Sequence, residues 1–211
     1  LDSPILTNSQ FKKFKKFFTK KVKIIDCTFD IEKSLKERIE LIREEAETSV
    51  REGSTCLVLS DKNISNKKAC IPSILTVGAV HSHLVKHGLR GYCSLNVECS
   101  DAMDTHSFAI LIGVGATTVN PYLAIDSIYQ RFEKKLFGKS DFETCVKKFK
   151  KSIDAGLLKI MSKMGISVIS SYRGGCNFEA VGLSRAIVSD YFPGMSSRIS
   201  GIGIIGIEKK I

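Results

Sequence analysis

Short β-branched runs alternate along this chain with longer stretches of helical periodicity, and that alternation leaves few folds open. Residues 22–27 are apolar enough for a strand; Leu35, Ile39, Ile42, Ala46 and Val50 then recur at helical spacing, and Gly53 closes the helix. Residues 56–60 form a continuous apolar run, the pattern of a parallel strand covered on both faces. Pro72 suits the first turn of a helix reaching about His87, with Gly88 past its end. The cycle repeats with a strand over residues 92–99, a helix over 105–113 and a strand over 117–119. Asn120 and Pro121 are placed to cap and start a helix through about Lys135. Ser140 with Glu143 forms a capping-box pattern for another helix towards Met164, with a break at Gly156. Residues 166–170 read as a fifth strand, and Gly174-Gly175 leads into a helix over 178–191. About five strands interleaved with helices specify an α/β fold with a mainly parallel sheet and right-handed crossovers. The Gly- and Ile-rich stretch 196–211 reads as a connector leaving a domain of residues 1–195.

Composition agrees with a globular chain. With 43% hydrophobic and 26% charged residues and a mean hydropathy of +0.03, the 211 residues lie outside the disordered and membrane classes. The longest apolar stretch, 108–119, is too short and too Gly-interrupted to span a bilayer, and the N-terminus lacks the order of a signal peptide. Leu1 in place of Met suggests a piece of a longer chain. Seven cysteines without a C-x-x-C pair argue against a disulfide framework or a zinc site, and fit a reducing cytoplasm or organelle matrix. The net charge of +10 is local: residues 11–23 carry seven lysines and 145–151 carry four, leaving 21 basic against 22 acidic residues elsewhere.

Parallel α/β folds gather ligands where their strands end. The residues just past each run are Asp26, Thr28, Ser60, Asp61, Glu98, Asn120, Ser171, Tyr172 and Arg173. Arg173 could hold an anion there, and Asp61 and Glu98 could stage acid–base work. Helix caps and turns use the same residue types at the same places. Gly201-Ile202-Gly203-Ile204-Ile205-Gly206 matches a dinucleotide fingerprint in letters, but with five residues remaining no helix is expected to follow it. Gly113-Val114-Gly115 reads as a helix end. His83 and His87 have the i, i+4 spacing of a ligand pair, His81 points elsewhere, and no acid lies between the pair, so no metal is expected. In the basic segment, Phe11, Phe14, Phe17 and Phe18 share one helical face. A nucleic-acid contact is the weaker reading of it; a face docked on the core with solvated lysines is the stronger.

Longer motifs say more. Leu1 to Asn8, Leu59-Ser60-Asp61, Ile71-Pro72, Ala79-Val80-His81-Ser82-His83-Leu84, Asn120-Pro121-Tyr122-Leu123-Ala124, the stretch from Gly156 to Leu183, and Ser197-Arg198-Ile199 followed by Gly201-Ile202 stand in the order of one family. Together they resemble the central domain of the glutamate synthase large chain. The resemblance implies a cut-down version of a (β/α) flavin barrel. It also implies a parent oxidoreductase making glutamate from glutamine and 2-oxoglutarate, in ammonia assimilation. In such a parent an amidotransferase domain releases ammonia, an FMN-binding domain reduces the imine, and a donor subunit or ferredoxin supplies electrons. FMN and a 3Fe-4S cluster belong to the complete large chain. Cys93 and Cys99 match the first spacing of the cluster motif, but Asp104 stands at its third position, so no cluster ligand is carried over. Met103, His106-Ser107 and Gly175-Cys176 depart from the family pattern. This segment is therefore expected to hold no catalytic residue, cofactor or metal. Asp61, Glu98, Asn120, Ser171, Tyr172 and Arg173 are its strand-end or inter-domain contacts, and neither nucleic acid nor membrane is a partner. The alternative is a self-standing flavin- or phosphate-binding domain.

Overall fold

A computed structural model of the chain describes residues 2–175 and 177–211; Cys176 of the family comparison lies outside them. The chain is an α/β protein with a mainly parallel sheet. β1 (Val22–Asp26), β3 (Cys56–Ser60), β5 (Ser94–Glu98) and β6 (Thr118–Asn120) pair in that order, all parallel. Each new strand adds on the same side, which is the winding of a β/α barrel rather than of a doubly wound sheet. The crossovers are α2 (Leu35–Arg51), α3 (Ser73–Lys86) and α4 (Thr105–Gly113). A small antiparallel pair joins the first two crossovers, β2 (Thr28–Asp30) ahead of α2 and β4 (Lys68–Cys70) ahead of α3; its three-residue strands are too short to show a period.

Strand alternation divides the sheet into two faces. Ile25, Leu57, Leu59, Leu95, Val97 and Val119 pack in the main core with Ile39, Ile42, Val80, Leu84, Phe108 and Ile112 of the covering helices. The other face, from Cys56 and Val58, meets Leu6 and, from α1 (Asn8–Phe18), Phe11. Thr7 starts α1 with a capping box shared with Gln10.

The fifth strand expected at 166–170 is absent. Residues 169–172 form a helical turn, α7 (Ile169–Tyr172). The place beside β6 is already taken by the N-terminal segment: Val119 N donates to Pro4 O (2.8 Å), Leu6 N donates to Val119 O (2.9 Å), and Ile5 bridges Val119 in parallel. With the edge groups of β6 satisfied, a later strand has nothing to pair with.

Other boundaries shift for local reasons. Asn120 ends β6 instead of capping a helix, and Pro121 holds the N-cap position of α5 (Tyr122–Glu133). Asp141, not Ser140, caps α6 (Phe142–Lys163) by accepting from Thr144 N at 2.6 Å; α6 runs through Gly156 unbroken, and there Thr105 of α4 occupies the space a side chain would need. The helix expected over 178–191 begins only at α8 (Arg185–Tyr191); before it lies β7 (Glu179–Leu183), which pairs in parallel with β8 (Ser196–Ile202). Gly182 allows this at φ +76°, and a side chain at Gly201 would strike the Gly182 carbonyl. A short helix does follow the Gly-Ile run, α9 (Ile204–Glu208), held against α2 by Leu35 N donating to Glu208 Oε2 at 2.7 Å. One member of the aromatic stripe turns outward: Phe17 is 82% exposed, while Phe14 and Phe18 are half-buried.

Candidate functional site

The sheet register brings Asp26, Ser60, Glu98 and Asn120 side by side at the C-terminal ends of their strands. Glu98 is the centre of this row and is buried. Its Oε2 accepts from Ser60 Oγ at 2.8 Å, and its Oε1 lies 3.2 Å from Lys15 Nζ and 3.0 Å from Lys62 Nζ. Burial alone would raise its pKa. Hydrogen bonds from Ser60 and Lys62, with the charges of Lys15 and Lys62, outweigh burial and hold the carboxyl below its ordinary value.

The neighbouring polar groups are similarly engaged. Asp61, also buried, accepts from Ser100 N and Oγ at 2.8 and 2.7 Å. Burial and then the Asp61 carboxylate push the Tyr122 phenol up. Asn120 donates from Nδ2 to Leu6 O (2.9 Å) and Asn8 Oδ1 (3.0 Å), which ties the sheet to the start of α1. Asp26 accepts from Thr28 N and Oγ1. Phe11, 1% exposed, lies over Cys56 and Val58, with Lys15 Nζ 4.8 Å above its ring. α1 therefore covers the inner face of the sheet, and its Lys15 neutralises the acid at the C-terminal strand ends, where a β/α barrel keeps its ligand.

Ser171, Tyr172 and Arg173 do not join this row. They sit near the strand starts, where Gly174 N donates to Gly113 O at the end of α4 (2.8 Å). Tyr172 is buried and donates its hydroxyl to Ala109 O (3.2 Å), Ser171 is exposed, and Arg173 lines a groove of about 550 Å³ with Asp2, Ser3, Thr117 and Asp154. Absence of the fifth strand is the cause, since only that strand would have carried them to the far end.

Three contacts escaped the sequence. Lys15 reaches Glu98 across 83 positions, and its only local signal is a place one turn after Phe11. Arg43 is 6% exposed inside α2, donates to Ala79 O, pairs with Asp190 at 3.1 Å and lies 4.7 Å over the Tyr191 ring. Glu47 meets the His83/His87 pair from α2, with Glu47 Oε2 2.6 Å from His83 Nε2. Cys93 and Cys99 are buried thiols pushed up by that burial, and Asp104 caps α4 by accepting from Ser107 N and Oγ. The three do not fit an iron–sulfur ligand set, which needs thiolates.

Glu98 carries a pH prediction. A carboxyl depressed in the folded state adds stability above its unfolded pKa, about 4.3, and loses it as pH falls through that value towards the folded one. Glu98→Gln keeps the Ser60 contact but strands two partly exposed lysines, so it is expected to cost about 1–2 kcal/mol at pH 7. Urea denaturation at pH 7 and pH 3 should show that difference shrinking in acid; a pH-independent difference would contradict the ion-pair account.

Comparison with known families gives a match of residues 1–184 to the model described as the glutamate synthase central domain. The whole chain is 51% identical to a stretch making up 14% of the glutamate synthase [NADPH] large chain of Azospirillum brasilense. It is 41% identical to 14% of the corresponding Bacillus subtilis chain, and 37% identical to 14% of a ferredoxin-dependent glutamate synthase from Pyropia yezoensis. It thus spans about one seventh of the length of these relatives. Among solved structures, DHODH in complex with ferulenol from Eimeria tenella aligns over 74% of this chain and 38% of that one, with 14% identity and a TM-score of 0.48.

Proposed function

Since the chain belongs to the glutamate synthase central domain family, we propose that it is the coupling domain of a glutamate synthase large chain and performs no redox chemistry itself. In this reading it stands between the amidotransferase domain that releases ammonia from glutamine and the FMN-binding domain that makes glutamate from 2-oxoglutarate. Residues 196–211 lead towards the latter. FMN and the 3Fe-4S cluster are held elsewhere in the parent, and electrons come from a donor subunit or ferredoxin; relatives are named for NADPH and for ferredoxin. No helix among the described residues is long and apolar enough to cross a membrane. We place the parent in the cytoplasm or an organelle matrix, as the chloroplastic name of the spinach relative suggests for plants. Asp61, Glu98 and Asn120 then maintain the domain, and Ser171 and Arg173 are available to neighbouring domains.

The observation that carries the non-catalytic part is α1 on the inner face of the sheet, with Glu98 locked between Ser60, Lys15 and Lys62. A barrel enzyme leaves that end open for its ligand. Titrating the chain with FMN and with 2-oxoglutarate, followed by calorimetry and flavin fluorescence, is expected to give no binding at micromolar concentrations. Micromolar binding of either would overturn this reading in favour of a self-standing flavin-binding domain.

A further inference from the structure

The His83/His87 pair lacks an acid between its members in sequence, and the fold supplies one from the neighbouring helix. Glu47 of α2 faces His83 of α3 and His87 at the C-cap of that helix, and one ligand-capable atom from each of the three lies within 4.8 Å of the others. We propose that Glu47, His83 and His87 form a binding site for a divalent transition-metal ion of the zinc class, bridging α2 and α3.

The donor set is a carboxylate with two imidazoles, the three-ligand set that leaves zinc a fourth position for water. Tetrahedral zinc with bonds of about 2.0–2.1 Å holds its ligand atoms about 3.3 Å apart. Glu47 Oε2 and His83 Nε2 are 2.6 Å apart as a hydrogen bond, so a bound ion replaces that bond with a modest separation of the two side chains.

The surrounding contacts already orient the ligands. Arg51 holds the other carboxylate oxygen, with Nε and Nη2 each 2.8 Å from Glu47 Oε1. His87 Nδ1 lies 3.8 Å from Glu47 Oε2 and 2.8 Å from His83 O, so this nitrogen faces the carboxylate, and a bound ion takes it in place of the His83 carbonyl. The Arg51 contact is of the kind that holds a ligating carboxylate in place at metal sites. The three side chains are 18–34% exposed, so an ion can reach them. Competing thiols are poor ligands here: Cys27, Cys56, Cys93 and Cys99 are buried and Cys70 is half-buried. His81 is turned away to accept from Arg90 Nε at 3.1 Å.

The test is titration of the chelator-treated 211-residue chain with Co(II), read by its visible spectrum, and with Zn(II), read by calorimetry. One equivalent should bind with a Kd in the micromolar range, giving d–d bands without a thiolate charge-transfer band. Because the ligands come from two helices, saturating Zn(II) should also raise Tm by about 5–10 °C. Glu47→Gln, His83→Ala and His87→Ala should each weaken binding at least about tenfold, while the metal-free circular dichroism spectrum stays that of the wild type. Binding no tighter than millimolar, a thiolate band, or affinity unchanged in the variants that keep the wild-type spectrum would overturn the proposal.

Discussion

Phe11→Ala is expected to lower the stability of the chain by about 3–5 kcal/mol, or roughly 10 °C in Tm for a chain of this length. Phe11 is 1% exposed and is the residue of α1 that seals Cys56 and Val58 on the inner face of the sheet. Removing its ring opens a cavity against β3 and frees the helix that carries Lys15 to Glu98. The transfer loss is therefore joined by loss of an ion pair to a buried acid. Phe17→Ala is the control: at 82% exposure it should change stability by less than about 0.5 kcal/mol. The comparison is pointed, because Phe17, six positions on, points about 120° round the helix from Phe11 and away from the sheet. Guanidinium denaturation of the two variants measures it, and equal losses would mean that α1 does not dock as described.

The second large effect is expected at Gly78, in the middle of α3. Alanine normally favours a helix over glycine by about 1 kcal/mol. Here the added methyl carbon would come within 2.3 Å of Phe192 Cε1 and 2.9 Å of Tyr191 O at the end of α8. A ring can turn, but the carbonyl belongs to the backbone, so α8 must move away from α3. Gly78→Ala should cost about 1–3 kcal/mol net of the helix gain. Gly88→Ala has open space around it and should show only the cost of φ +68°, about 1 kcal/mol. Thermal melts of both variants decide the matter; a stabilised Gly78→Ala would show that the two helices are not in this close contact.

What could be read from the sequence was whatever local periodicity determines. The strand at 56–60 and the helix at 105–113 fall where the apolar pattern puts them, and the parallel α/β class follows from their alternation. What could not be read was decided by long-range competition. Residues 166–170 have the composition of a strand, yet residues 4–6 occupy the edge they would need. That single substitution also split the predicted site: Asp61, Glu98 and Asn120 remained at the strand ends, while Ser171, Tyr172 and Arg173 stayed at the other end. The partner of Glu98 was hidden for a similar reason, since Lys15 sits in a lysine run whose members look alike until the helix docks. Glu47 and the two histidines show the same limit, with half of the constellation visible as an i, i+4 pair and the rest on another helix.

The rung between Ile5 and Val119 also orders events during synthesis. Its two sides are 114 positions apart, so the segment that occupies the sheet edge leaves the ribosome early and waits for its partner until β6 has followed. Closing a loop of that length carries an entropic cost that grows only slowly with length but must be met before the contact forms. Until then residues 4–6 have no partner strand, although Cys56 and Val58, which α1 covers, belong to a strand that is made well before β6.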